Sequence, residues 1–126
     1  MLRKIDCIMI RVDAVEDAAA FYADVFGLRP LWSDDDSIGL KFPESDAEVV
    51  LHSNPKIPSS VEAYYVVDDV VAAVANYSAK GCEVLVPPFD ITIGKCALIK
   101  DPFGTRLGIL DQTKGPRPNN LVGCPD

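Results

Sequence analysis

No stretch of this sequence approaches the roughly 18–20 apolar residues that a membrane-spanning helix needs, so a helical membrane protein is excluded. The N-terminus, MLRKIDCIMIRVD, is interrupted by Asp6 and Arg11 and has no small-residue cleavage site. It therefore reads as a strand rather than a signal peptide, and a cytoplasmic protein is the expectation. The four cysteines, Cys7, Cys82, Cys96 and Cys124, include no CxxC pair. That spacing points to neither a zinc knuckle nor a redox motif, and in a reducing compartment such residues behave as small buried hydrophobes. Positive charge is scarce: 12 Lys and Arg face 19 Asp and Glu, for a net charge of -7. The resulting field disfavours nucleic acid and anionic membranes, favours cationic ligands and keeps the chain soluble. Histidine occurs once, at His52, at a strand end before a loop with no partner motif, which reads as structural or surface placement rather than catalysis.

What is present is an internal repeat. Val61 to Gly81 (VEAYYVVDDVVAAVANYSAKG), moved back 55 positions, lies on Asp6 to Phe26 (DCIMIRVDAVEDAAAFYADVF). Val12, Asp13, Val15, Ala18, Ala20 and Tyr22 then match Val67, Asp68, Val70, Ala73, Ala75 and Tyr77 by identity. A repeat used only twice suggests one domain made of two half-domains, since solenoids need about three units or more. The length of 126 residues suits a single domain with a real core.

In chain order, Ile5 to Val12 predicts a strand. Asp13 is placed to cap the helix that follows, with Glu16 completing a capping box. Val15, Ala18, Ala19, Tyr22, Val25 and Phe26 recur at helical spacing, and Gly27 ends the helix. Strands follow at Leu31 to Ser33, Ser37 to Phe42 and Ala47 to His52, with Asp34 to Asp36 as a solvated turn. Asn54 to Ser60 joins the halves. The second half begins with a strand at Glu62 to Val67 and a helix capped by Asp68 or Asp69 that ends at Gly81. A strand at Glu83 to Val86 is closed by Pro87 and Pro88. Ile91 to Ile93 leads through Gly94 into a strand at Cys96 to Ile99. The turn Asp101-Pro102-Phe103-Gly104 precedes the last strand, Arg106 to Leu110. The pattern is βαβββ twice, as modules 5–52 and 61–111 of a single 1–126 domain, with a loose tail over 112–126. The fold class is α+β: two βαβββ modules pairing into a curled, half-open mixed sheet barrel whose concave face would take a ligand.

Four stretches, IDCIMIRV followed by FYADVFGL, VVLHS, EAYYVVDDVVAAV and KDPFGTRLGIL, resemble the glyoxalase/bleomycin-resistance/extradiol-dioxygenase, or vicinal oxygen chelate, superfamily. In the metal-dependent members of that family four inward strand positions hold a divalent ion. The resemblance places those positions on Cys7, Leu51, Glu62 and Gly108. Two of these have no donor, whereas a catalytic zinc site needs about three protein ligands, so no metal ligand is expected. A shift of one residue would bring His52 in, but alternation turns His52 to the face opposite Leu51.

The implied function is a metal-free small-molecule binding protein of the bleomycin-resistance type. It would act as a homodimer holding a cationic or aromatic ligand and would need no cofactor. The ligand-binding set is Cys7, Met9, Trp32, Phe42, Glu62, Tyr64 and Gly108. Cys7 reads as core cysteine in the absence of a base motif. Glu62 either meets the ligand or sits solvated at a rim, paired with Arg11 or Arg106. Trp32, Phe42 and Tyr64 either line the cup or pack in the core. The alternative is a divalent-metal-dependent enzyme, lactoylglutathione-lyase-like or dioxygenase-like, and a non-catalytic interaction module is a third reading.

Overall fold

The structure, a computed structural model, describes residues 1–57, 61 and 63–116. The described residues fall into two compact units, one of residues 7–57 and one of 1–6, 61 and 63–116. Each is built on the same order of elements. The first order is β1 (Lys4–Arg11), α1 (Val15–Phe26), β2 (Arg29–Ser33), β3 (Ser37–Lys41) and β4 (Glu48–His52). The second is β5 (Ala63–Val66), α2 (Val70–Ala79), β6 (Glu83–Ile91), β7 (Gly94–Lys100) and β8 (Arg106–Leu110). The α+β class and the doubled βαβββ pattern are therefore as the sequence predicts.

Within the first set the strands lie in the order β2-β3-β4-β1, with β1 and β4 parallel and the others antiparallel. Parallel pairing follows from the crossover: a chain that leaves β1, forms a helix and returns through a hairpin re-enters beside β1 in the same direction. Helix α1 covers one face of this sheet. Ala19, Leu28, Leu40, Val49 and Leu51 form the core beneath it, with Ile10, Val12, Val15, Tyr22, Ile38 and Phe42 packed around them. The second set repeats the arrangement as β5-β8-β7-β6, with β5 parallel to β8. Here α2 lies over Val67, Val70, Ala97, Ile99 and Ile109.

The helix ends explain themselves locally. Gly27 closes α1 in the left-handed conformation, φ 75°, which costs a residue without Cβ nothing. The capping box expected from Asp13 does not form. The N-cap is Ala14, one residue later, without a side-chain hydrogen bond, and Glu16 and Asp17 act only as first-turn charges on the helix dipole. For α2 the choice between Asp68 and Asp69 falls on Asp69, whose carboxylate accepts from the Ala72 N–H at 3.0 Å.

One element departs from expectation. Pro87 and Pro88 do not end a strand: β6 runs through them from Glu83 to Ile91. The pairing with β7 slips between Val84 and Val86 and again between Val86 and Phe89. β6 is the outermost strand of its set, the setting in which proline is tolerated because its missing N–H interrupts no ladder. Ile91 pairs with Gly94 at the hairpin that leads into β7. The expected positions Glu62 and Cys124, and the tail beyond residue 116, lie outside the described residues.

Candidate ligand-binding faces

The face of each sheet turned away from its helix carries the candidate residues, and strand register sorts them into rows. In the first set Met9 pairs with Val50, Val50 with Gly39 and Gly39 with Trp32, which makes one row. The neighbouring row is Cys7, Glu48, Lys41 and Arg29. On the other side come Arg11, His52 and Ser37. Leu51, the residue aligned with the fourth-strand metal position, packs beneath α1 instead, so the fourth-strand residues facing with Cys7 are Glu48, Val50 and His52. Phe42 is a second correction. It alternates with Ile38 and Leu40, which face α1, and packs in the same helix-side cluster. It therefore lies on the opposite side of the sheet from Trp32.

Trp32 lies flat over Gly39. A side chain at Gly39 would collide with the indole at Nε1 and Cε2. The indole N–H donates to Glu48 Oε1 at 2.7 Å, which satisfies the polar end of a residue only 5% exposed. The second set repeats the device. Tyr64 pairs with Gly108 across β5 and β8, and its ring edge, Cδ2 and Cε2, fills the space a Cβ at Gly108 would take. Cys96, Leu98 and Leu110 share that face and are buried.

His52 is buried at the end of β4, and its Nδ1 accepts from the Asn54 N–H at 3.2 Å. Burial holds its pKa below the ordinary histidine value, the Arg11 charge adds to this, and Asp36 partly opposes it. Arg11 is committed to the following loop, donating to the carbonyls of Ile57, Asn54 (3.4 Å) and Pro55 (3.5 Å). Because Leu51 packs beneath α1, the alternation that turns His52 away from Leu51 places it on the same face as Cys7, at a hydrogen-bonded strand end. Burial pushes the Cys96 thiol up to about 12, which disfavours the thiolate that a nucleophile needs.

Nothing in the sequence singled out Asp111. It is 1% exposed and accepts from the Val70 N–H at 2.8 Å, the Lys95 N–H at 2.9 Å and the Thr113 hydroxyl at 2.9 Å. Burial alone would raise its pKa, but these hydrogen bonds outweigh it and hold the carboxyl below the usual range. Asp111 ties the start of α2 to the start of β7, and so serves the fold rather than a ligand. Asp34 to Asp36 form the expected turn, in which the Asp34 N–H donates to the Ser37 carbonyl at 3.0 Å. With Asp13 and Glu16 this turn borders a pocket of about 430 Å³.

The donor chemistry of the family's metal positions can be tested residue by residue. Cys7 offers a soft thiol, Leu51 lies beneath α1 without a donor, at Gly108 a tyrosine ring stands where a ligand side chain would start, and Glu62 lies outside the described residues. Among the described residues no three of His, Cys, Asp and Glu converge as a metal site would require. Of the positions carried over from the family, Cys7 is the one described residue with a donor, while Glu48 and His52 share its face.

The fold matches known proteins. The profile of the Glyoxalase/Bleomycin resistance protein/Dioxygenase superfamily matches residues 4–109, so the chain belongs to that superfamily. Two curated relatives, both named "Putative glyoxylase CFP32", come from Mycobacterium bovis and Mycobacterium tuberculosis. Each is 32% identical over 105 residues, a match covering 78% of this chain and 40% of the relative. The match thus spans well under half the length of those relatives. Among solved structures, methylmalonyl-CoA epimerase from Mycobacterium tuberculosis superposes with a TM-score of 0.76 at 15% identity, covering 89% of each chain. A Streptomyces coelicolor methylmalonyl-CoA epimerase in complex with 2-nitronate-propionyl-CoA gives 0.72 at 17% identity, covering 94% of this chain and 100% of that one. At these identities the structural likeness speaks for the fold alone.

Proposed function

We propose that this chain is a small-molecule-binding member of the superfamily that works without the family-type metal centre. One observation carries the reading: Tyr64 packs its ring into the space above Gly108, the last-strand position that the family resemblance assigns to a metal-binding glutamate. Regaining that ligand would require displacing a buried aromatic ring. Trp32 and Tyr64 are both closed over at 5% exposure, so they act as the floor of their faces. A ligand approaching the first set would meet the half-buried Met9, Lys41, Glu48 and Arg29 around them.

The same reading has the protein act as a cytoplasmic homodimer. Phe21, Val25 and Phe26, exposed together on α1, are the type of apolar surface that a second copy covers. Sedimentation of the purified chain measures this directly, and a monomer across the micromolar range would remove the dimer from the reading.

The decisive experiment is metal analysis of protein purified with and without added Ni, Zn, Mn or Fe, paired with lyase and dioxygenase assays. Sub-stoichiometric metal and no turnover are expected. One tightly held ion per chain with ion-dependent turnover would replace this reading with the alternative, a divalent-metal-dependent glyoxalase-like enzyme, which the printed name of the curated relatives favours.

A further inference from the structure

The row formed by Arg29, Lys41 and Glu48 has a charge pattern that the fold does not use. Arg29 on β2 and Lys41 on β3 are direct cross-strand partners, so both side chains leave the same face. Like charges placed opposite one another in this way are unfavourable. Their natural partner, Glu48, is next in the row, but its carboxylate already accepts the Trp32 indole N–H at 2.7 Å. Neither Arg29 nor Lys41 takes part in the ion pairs that Arg3, Lys95, Lys100 and Lys114 form. Arg29 Nε is moreover the one buried side-chain nitrogen or oxygen among the described residues without a hydrogen-bond partner. A buried guanidinium donor left unmatched is costly. Both side chains are half-buried, Arg29 on the edge strand β2 and Lys41 on β3 beside it, so neither is closed off from a solute.

We propose that Arg29 and Lys41 form an oxyanion subsite, taking a carboxylate or phosphate group of the small-molecule ligand. This rests on the ligand-binding reading above and names the chemistry at one end of the ligand. The planar guanidinium can give two parallel N–H bonds to such a group, including the bond that Nε lacks, while Lys41 adds a point charge. An anion between the two cations also relieves their mutual repulsion. The acidic balance of the whole chain, which favours cations at long range, is screened beyond about 10 Å at ordinary salt, so the local pair decides what binds here.

Trp32 is the only tryptophan in the chain and is bonded to Glu48 in the adjoining row, so its emission reports on this site. Inorganic phosphate, benzoate and benzyl alcohol are titrated separately against the wild-type chain, Arg29→Gln, Arg29→Lys and Lys41→Gln, with far-UV circular dichroism confirming that each variant is folded. Saturable changes with phosphate and benzoate are expected, weakened about tenfold or more in Arg29→Gln and only partly restored in Arg29→Lys, which keeps the charge and loses the fork. Benzyl alcohol should bind at least tenfold more weakly than benzoate. Equal binding of benzyl alcohol and benzoate would overturn the oxyanion subsite and leave the small-molecule reading standing. So would anion responses unchanged in both Arg29→Gln and Lys41→Gln. No saturable response to either anion would also overturn it.

Discussion

Asp111 shows most clearly what one side chain can hold together here. Its carboxylate serves backbone N–H groups on two elements and the Thr113 hydroxyl. Asp111→Ala leaves those donors buried and unmatched and should cost about 2–4 kcal/mol in chemical denaturation. The direction of its pKa sets the acid response. A carboxyl held below its unfolded value contributes stability that is fully present above the unfolded value. That stability is lost as pH falls through the folded one. Asp111→Asn should therefore flatten the acid limb of a stability-versus-pH curve, while an unchanged limb would mean that other carboxylates govern it. His52 acts in the neighbouring pH range with its own sign. Its folded pKa is lowered, so the folded chain resists protonation. Stability should decline as pH drops below about 6.5, and His52→Gln should reduce that decline in thermal melts. At Cys96, a thiol pushed up to about 12 should remain unalkylated by iodoacetamide in the native protein at pH 8, as read by mass spectrometry.

Among the elements, both helices were legible from spacing and stop residues because those signals are local. The 3.6-residue stripe and Gly27 act within one or two turns. Asp69→Ala should cost α2 about 1 kcal/mol through the lost Ala72 bond, whereas Asp13→Ala, with no cap to lose, should cost little. The misread elements have non-local causes. Proline stops a strand only if a neighbour needs its N–H, and whether β6 has a neighbour on that side depends on sheet order. Ile38, Leu40 and Phe42 were recognisable as sharing a face, but alternation does not say which face a helix will cover. Helix α1 covers theirs. For the candidate site, alternation turned Tyr64 inward and the family resemblance pointed to Gly108, but their pairing across β5 and β8 is visible only in the structure. Glu48 and Asp111 were missed because their partners, Trp32 and Val70, lie 16 and 41 residues away in sequence.

For the molecule as a whole, the doubling of βαβββ, the superfamily and the matching fold were all readable from the sequence, since the repeat and the turn motifs span most of the chain. Its chemistry was less so, because function in this superfamily resides in a few side chains grafted on a shared frame. If no structural ion is bound, dialysis against EDTA should leave the melting temperature within about 1 °C, since only a ligand bound to the folded state shifts it. A fall of several degrees would count against a metal-free chain.

The pairing of a flat ring with a bare glycine, present once in each set of strands, makes certain substitutions conditional on order. Gly108→Glu introduced alone collides with Tyr64 and should be poorly folded; after Tyr64→Ala the same replacement has room. The pair should therefore be strongly non-additive in a double-mutant cycle. A descendant of this chain could gain an acidic side chain at that position only by giving up its tyrosine first, so the path to such a variant passes through a weakened intermediate.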